Sequence, residues 1–212
     1  ANRSFVTGYL LQTIAMALHE DADLLRLAVR HYCVAAELRQ DAVGIVRNLG
    51  LAYASLEQWD KAVQAYSKAL ALAPDDPELL TDAAAAQQRA GRAEEAAALY
   101  YAALRLSPNS SRRHIDLGIL LWNMGQLEEA TVEFRQALVI DPTSAVATYN
   151  LGLALESKGL RKETIAMWES FLDSPDSATE KENVRSKMRE AISRLKSAIP
   201  VESGSLSFDS TK

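Results

Sequence analysis

The feature that most constrains this chain is a short phrase that returns at a fixed distance. Asn48-Leu49-Gly50-Leu51-Ala52-Tyr53 reappears as Asp116-Leu117-Gly118-Ile119-Leu120-Leu121 and again as Asn150-Leu151-Gly152-Leu153-Ala154-Leu155. The offsets are 68 and 34 residues, so the unit is 34 residues long with one copy hidden between the first two phrases. A unit of this size buries its apolar face only by stacking on its neighbours. The ruler gives windows 43–76, 77–110, 111–144 and 145–178, and its backward extension gives a weaker copy, 9–42.

Other positions then align without gaps. The eighth holds Gly50, Ala84, Gly118 and Gly152, and the fifteenth holds Gly91, Gly125 and Gly159. The twentieth holds Ala28, Ala62, Ala96 and Ala130; the twenty-seventh holds Ala35, Ala69, Ala103 and Ala137. An aromatic stands at the twenty-fourth (Tyr32, Tyr66, Tyr100, Phe134, Trp168) and a proline at the thirty-second (Pro74, Pro108, Pro142). Each window therefore reads as two amphipathic helices joined by a short turn and closed by a proline stop. In 111–144 the first helix is expected over 112–124, ending at Gly125 in the left-handed conformation. The second begins near Leu127, with Glu128 and Glu129 in its first turn, and ends before Asp141-Pro142. Small residues let the two backbones approach, and the aromatic fills the space that remains.

These positions resemble the tetratricopeptide repeat (TPR) family, a 34-residue helix–turn–helix with Leu-Gly, a later Ala, an aromatic, another Ala and a terminal Pro. The resemblance implies an all-α fold, a right-handed helical solenoid of antiparallel helix pairs. It covers 43–178 as four units. Residues 1–42 read as a degenerate N-terminal repeat or cap, because Met16 stands at the eighth position and Gln40 at the thirty-second. Window 145–178 carries Thr164 and Phe171 at two small positions and Pro175 one place early, so its second helix should pack on something other than a standard repeat. Residues 179–199 fit that role as a C-terminal capping helix. Thr179 and Glu182 form a capping box, and Val184, Met188, Ala191, Ile192, Leu195 and Ile199 make one apolar stripe. Its cations, among them Arg185, Arg189, Arg194 and Lys196, flank that stripe and read as snorkelling side chains. The tail 200–212 lacks periodicity and reads as disordered.

A search for chemistry finds no constellation. His19, His31 and His114 never share a helix face at i, i+4, so no helical metal site and no cofactor is expected. His31 and the single Cys33 lie two apart, on different sides of a helix. Asp21-Ala22-Asp23 lacks the later ligands of a calcium loop and reads as an interhelix turn with a helix start. Glycines committed to packing and turns leave no phosphate-cradling loop, so no enzymatic activity is expected. The chain is 48% apolar and 24% charged with a net charge of −5, which fits a soluble helical protein and argues against a nucleic-acid partner. No apolar run approaches the ~18 residues of a membrane span. The compartment stays open: the cytoplasm is favoured, and a periplasmic or anchored location follows if a segment precedes Ala1.

The resemblance also implies a protein or peptide ligand, held in a concave groove lined by the first helices at positions 2, 5, 6, 9, 12 and 13. The candidates are Arg47, Asn48, Leu51, Arg89, Arg112, Ile115, Asp116, Ile119, Trp122, Tyr149, Asn150 and Leu153. Trp122 is expected to be exposed, because helix packing does not demand an aromatic at position twelve. Tyr149, Leu153, Ile115 and Ile119 should lie beside it, and Asn150 should hold a partner's backbone through its amide. Three cations (Arg47, Arg89, Arg112) and four anions (Glu78, Asp82, Asp116, Glu156) occupy such positions, so charge alone sets little preference. Some TPR domains grip a chaperone's C-terminal carboxylate. The matching positions here, Arg47, Leu51, Asp82, Arg112 and Asp116, include two acids that would repel it. The expected role is a non-catalytic scaffold, as in adaptors and assembly factors. The alternatives are a self-associating homo-oligomeric module, or an interaction domain of a larger membrane-anchored or enzyme-containing protein.

Overall fold

A computed structural model describes residues 2–17, 21–39, 41–174 and 182–197. The calls on His19, Gln40, Pro175, Thr179, Ile199 and the tail 200–212 lie outside the described residues, as does the side chain of Met16. The elements of the described residues are all helices: α1 (Asn2–Ala17), α2 (Ala22–Leu38), α3 (Val43–Ser55), α4 (Trp59–Leu72), α5 (Pro77–Arg89), α6 (Ala93–Leu106), α7 (Ser111–Asn123), α8 (Leu127–Ile140), α9 (Ala145–Ser157), α10 (Arg161–Asp173) and α11 (Glu182–Ser197).

From α3 to α10 each 34-residue window holds one helix pair, and the helix ends have local causes. The first helices α5, α7 and α9 are capped by the last residue of the preceding window: Asp76, Ser110 and Ser144 accept from backbone N–H groups of the first turn. Asp21 caps α2 in the same way, through the N–H groups of Asp23 and Leu24. The turn inside each pair needs one left-handed residue. Gly91, Gly125 and Gly159 take it at φ 79°, 78° and 80°, and in the first window Glu57 is held there at φ 55°.

Pairs close through the eighth and twenty-fourth positions. A Cβ added to Gly50 would sit 2.8 Å from the Tyr66 ring, one on Gly118 2.6 Å from Phe134, and one on Gly152 2.2 Å from Trp168. Gly8 plays this part against Tyr32, at 3.1 Å. The alignment that put Met16 at this position is therefore corrected. The α1–α2 hairpin spaces glycine and aromatic 24 residues apart where later pairs use 16, an insertion of eight residues.

First helices touch first helices of the next unit (α1–α3, α3–α5, α7–α9), while α4, α6, α8 and α10 make no comparable contact with one another. At three of the four steps first helices approach one another more closely than second helices do, and they form the inner wall. After α10, α11 contacts both α10 and α9, the place a next first helix would occupy. It buries Met188, Ala191, Ile192 and Leu195 against Ile165 and Trp168, with Phe171 packed at the edge. Arg194 pairs with Glu156 of α9 at 2.9 Å and Lys196 with Glu169 of α10 at 2.6 Å, so two of its cations are engaged by its own array.

Candidate functional site

The inner wall is built from α3, α5, α7 and α9, and the structure sorts the expected groove residues into three groups. The first is a set of cross-unit ties. Arg47 Nε of α3 donates to Asp82 Oδ2 of α5 at 2.7 Å, both side chains being two-thirds or more covered. Burial pushes the Asp82 carboxyl above its ordinary value, and Arg47 partly offsets this. Burial alone would lower the Arg47 guanidinium, but the bond to Asp82 and the charges of Asp82, Asp76 and Glu78 together outweigh it, and the group is held above its ordinary value. Trp122 Nε1 of α7 donates to Ser157 Oγ of α9 at 3.1 Å. Arg89 is exposed and its guanidinium lies 4.9 Å from the Trp59 ring, stacked on the neighbouring α4.

The second group leans on the core. Ile119 and Trp122 are half-buried against the cluster between α7, α8 and α9, and Leu51 against the one between α3, α4 and α5. Tyr149 stacks on Trp168 with ring centroids 5.7 Å apart, and with Leu153 packs on the cluster shared with α11. The apolar patch expected as one surface is thus anchored on two separate cores. Three expectations change. Ile115 is 9% exposed and belongs to the core. The Asn150 amide donates one N–H to Val146 O of its own helix at 2.8 Å, which leaves its other N–H and its Oδ1 for a partner. Position twelve is also a packing position here, since Trp122 is half covered.

The third group stays open. Asn48 is half-buried, and Arg112 is 88% exposed at 3.7 Å from Asp116 Oδ2. Burial pushes the Asp116 carboxyl up, opposed by Arg112.

Sequence reasoning missed Arg113. It is buried, its Nε donates to Thr81 Oγ1 at 2.9 Å, and its guanidinium pairs with Glu78 of the preceding unit. A signal was present: the third position is otherwise Ile45, Leu79 and Ala147, and an arginine at a buried apolar position needs an acid partner. Elsewhere, His114 is held by Glu133 at 2.7 Å and by Pro108 O at 3.0 Å, and Cys33 Sγ lies 3.8 Å from the Tyr53 hydroxyl. Among the described residues, no three His, Cys, Asp or Glu side chains gather as a metal would require, and no helix is long and apolar enough to cross a membrane.

Models of the tetratricopeptide repeat match residues 47–76 and residues 88–149. The chain carries tetratricopeptide repeats over these residues. This TPR chain is similar to the crystal structure of MamA, at 19% identity and a TM-score of 0.67, over 85% of this chain and 95% of that one. It is similar to YrrB, described as a TPR protein with an unusual peptide-binding site, at 22% identity and 0.65, over 84% and 88%. The first TPR of Spaghetti (RPAP3), bound to an HSP90 peptide, matches at 22% and 0.53, over 55% and 93%. At such identities the likeness is one of fold. No curated protein matches the TPR chain in sequence.

Proposed function

We propose that this chain is a non-catalytic interaction scaffold whose inner wall docks a peptide or helix of a partner protein, as an adaptor or assembly factor does. The observation that carries the reading is the row Ile119, Trp122, Tyr149 and Leu153, apolar side chains along α7 and α9 that the core covers only in part. Tryptophan and tyrosine, here partly uncovered on a rigid wall, are among the residue types most enriched at binding hot spots. YrrB and the first TPR of Spaghetti, both similar in fold, are TPR structures with a peptide site or a bound peptide.

The test is the affinity of a groove peptide selected against the full chain from a random display library. Trp122→Ala should weaken it by about 2 kcal/mol or more, whereas Arg47→Ala, tied internally to Asp82, should cost less. Because Trp122 also leans on the core, the same variant should be less stable by about 1–2 kcal/mol. Peptide affinity that survives Trp122→Ala would defeat the groove reading.

A second reading is favoured by α1, where Val6, Tyr9 and Leu10 are each about half exposed (48%, 53% and 54%) on a helix whose one charge is Arg3. Such a face suits association with another copy. Sedimentation of the chain against a Val6→Ser, Leu10→Ser variant tests it: a shift from dimer to monomer supports self-association, and two monomers defeat it.

A further inference from the structure

The four acids at groove positions differ in how firmly each is paired. Glu78 is taken by Arg113, Asp82 by Arg47, and Glu156 by Arg194 through both carboxylate oxygens at 2.9 and 3.0 Å. Among the described residues, Asp116 has only Arg112, from one turn earlier on its own helix, at 3.7 Å and with its side chain 88% exposed. An exposed pair of that geometry is worth little and opens readily.

The cause lies in the register between units. Neighbouring first helices meet at a separation of 35 residues: Arg47 with Asp82, Glu78 with Arg113, Trp122 with Ser157. The same step back from Asp116 lands on Thr81. Its hydroxyl donates to Pro77 O at 2.7 Å and accepts from Arg113 Nε at 2.9 Å, so it brings no cation. The array thus repeats the acid of the Arg47–Asp82 tie one unit on and omits the guanidinium that completes it. Asp116 is nevertheless about two-thirds covered, its side chain 31% exposed. A carboxylate removed that far from water without a firm cation is costly to the free protein and available to a guest.

We propose that Asp116 seats a cationic side chain, arginine or lysine, of the partner docked on the inner wall, in the place that Arg47 takes on Asp82. This rests on the groove reading above and gives its ligand a chemistry. Asp116, Ile119 and Trp122 follow one i, i+3, i+6 ridge of α7. Six residues of helix span about 9 Å, which an extended peptide covers in about three residues. The ligand therefore carries a basic residue with a large apolar one about three positions away.

The experiment uses twelve-residue peptides selected from a random library against the full chain, each resynthesised with citrulline for Arg or acetyllysine for Lys. A basic residue should recur at one position relative to an apolar anchor. Its neutral counterpart should bind about tenfold or more weakly. Asp116→Asn should cost as much and erase the difference between the two peptides, as a double-mutant cycle requires. Arg112→Ala, which removes the guanidinium that competes for Asp116, should bind the basic peptide up to about threefold tighter. Trp122-dependent peptides without a fixed basic residue would overturn the inference and leave the groove reading intact. So would an undiminished preference for the basic peptide in Asp116→Asn, or a weakening by Arg112→Ala. Failure to select any Trp122-dependent peptide would defeat the groove reading, and this inference with it.

Discussion

The two halves of the array, 43–110 and 111–178, share one backbone ruler and use it differently. In the first half the inner wall is sealed by the Arg47–Asp82 tie, and the small residues Gly44, Ala54 and Ala85 stand at positions where a partner would rest. In the second half, Ile119, Trp122, Tyr149 and Leu153 stand at such positions, and the repeated acid has lost its cross-unit cation. The helix-pairing positions also change. The twenty-fourth passes from Tyr66 and Tyr100 to Phe134 and Trp168, while the eighth is Ala84 in one unit and Gly152 in the last. Positions that hold a pair together are constrained by close contact, and positions on the inner wall are free to diverge. Binding chemistry collects where the wall diverges.

The largest expected effect concerns dependence on α11. Deleting residues 175–212 uncovers Trp168 and Ile165 and removes Met188, Ile192 and Leu195, each worth about 1.5–3 kcal/mol of burial. The truncated chain should melt well below the full one and associate in sedimentation. The first half should unfold at a higher temperature than the second, a difference that hydrogen exchange resolves. Equal loss in both halves would break the comparison.

Next comes the same substitution in each half. Gly152→Ala forces a methyl within 2.2 Å of Trp168, against 2.8 Å from Tyr66 for Gly50→Ala. A loss of about 3 kcal/mol is expected for the first. Gly50→Ala should cost less, since the tyrosine ring needs a smaller shift and Ala84 over Tyr100 shows the arrangement in place. Denaturant melts of both variants rank them.

The turns give a smaller contrast of opposite sign. Glu57 holds a left-handed backbone that costs a non-glycine residue about 1 kcal/mol, so Glu57→Gly should stabilise the first unit by about that amount, while Gly125→Ala should destabilise the third by a similar one. A melting temperature unchanged by Glu57→Gly would show that the side chain compensates its own backbone.

The smallest effect separates the two aspartates. Burial raises the Asp116 carboxyl, so its protonated form favours the folded state; the stability this brings is present below the unfolded value and lost as pH rises through the folded one. Asp116→Asn should therefore melt at or slightly above the parent at pH 7, and the gap should close as pH falls into the ordinary carboxylate range. Burial raises the Asp82 carboxyl as well, but Asp82→Asn should instead lose about 1 kcal/mol or more at pH 7, because it leaves the largely covered Arg47 without its counter-charge. Like signs for the two would remove the distinction between a sealed and an open acid.

The sequence by itself determined the period, the two helices per unit, the turn glycines and the pairing of a small residue with an aromatic. Each of these is a local demand: a left-handed φ at Gly91 and Gly125, a cap at Asp76, a contact with no room for a Cβ at Gly152. Such demands leave few residue types acceptable and so show through in one chain. The tertiary structure alone decided which wall residues remain available. Ile115 turned into the core, the Asn150 amide gave one N–H to its own helix, Gly8 replaced Met16 across an insertion, and Arg113 reached Glu78. These outcomes depend on the stagger between neighbouring first helices, which sets contacts 35 residues apart where the ruler marks 34. A one-residue offset is invisible to alignment within a unit, because it arises only when two units are pressed together. It is that offset which gives Asp82 an arginine and Asp116 a threonine.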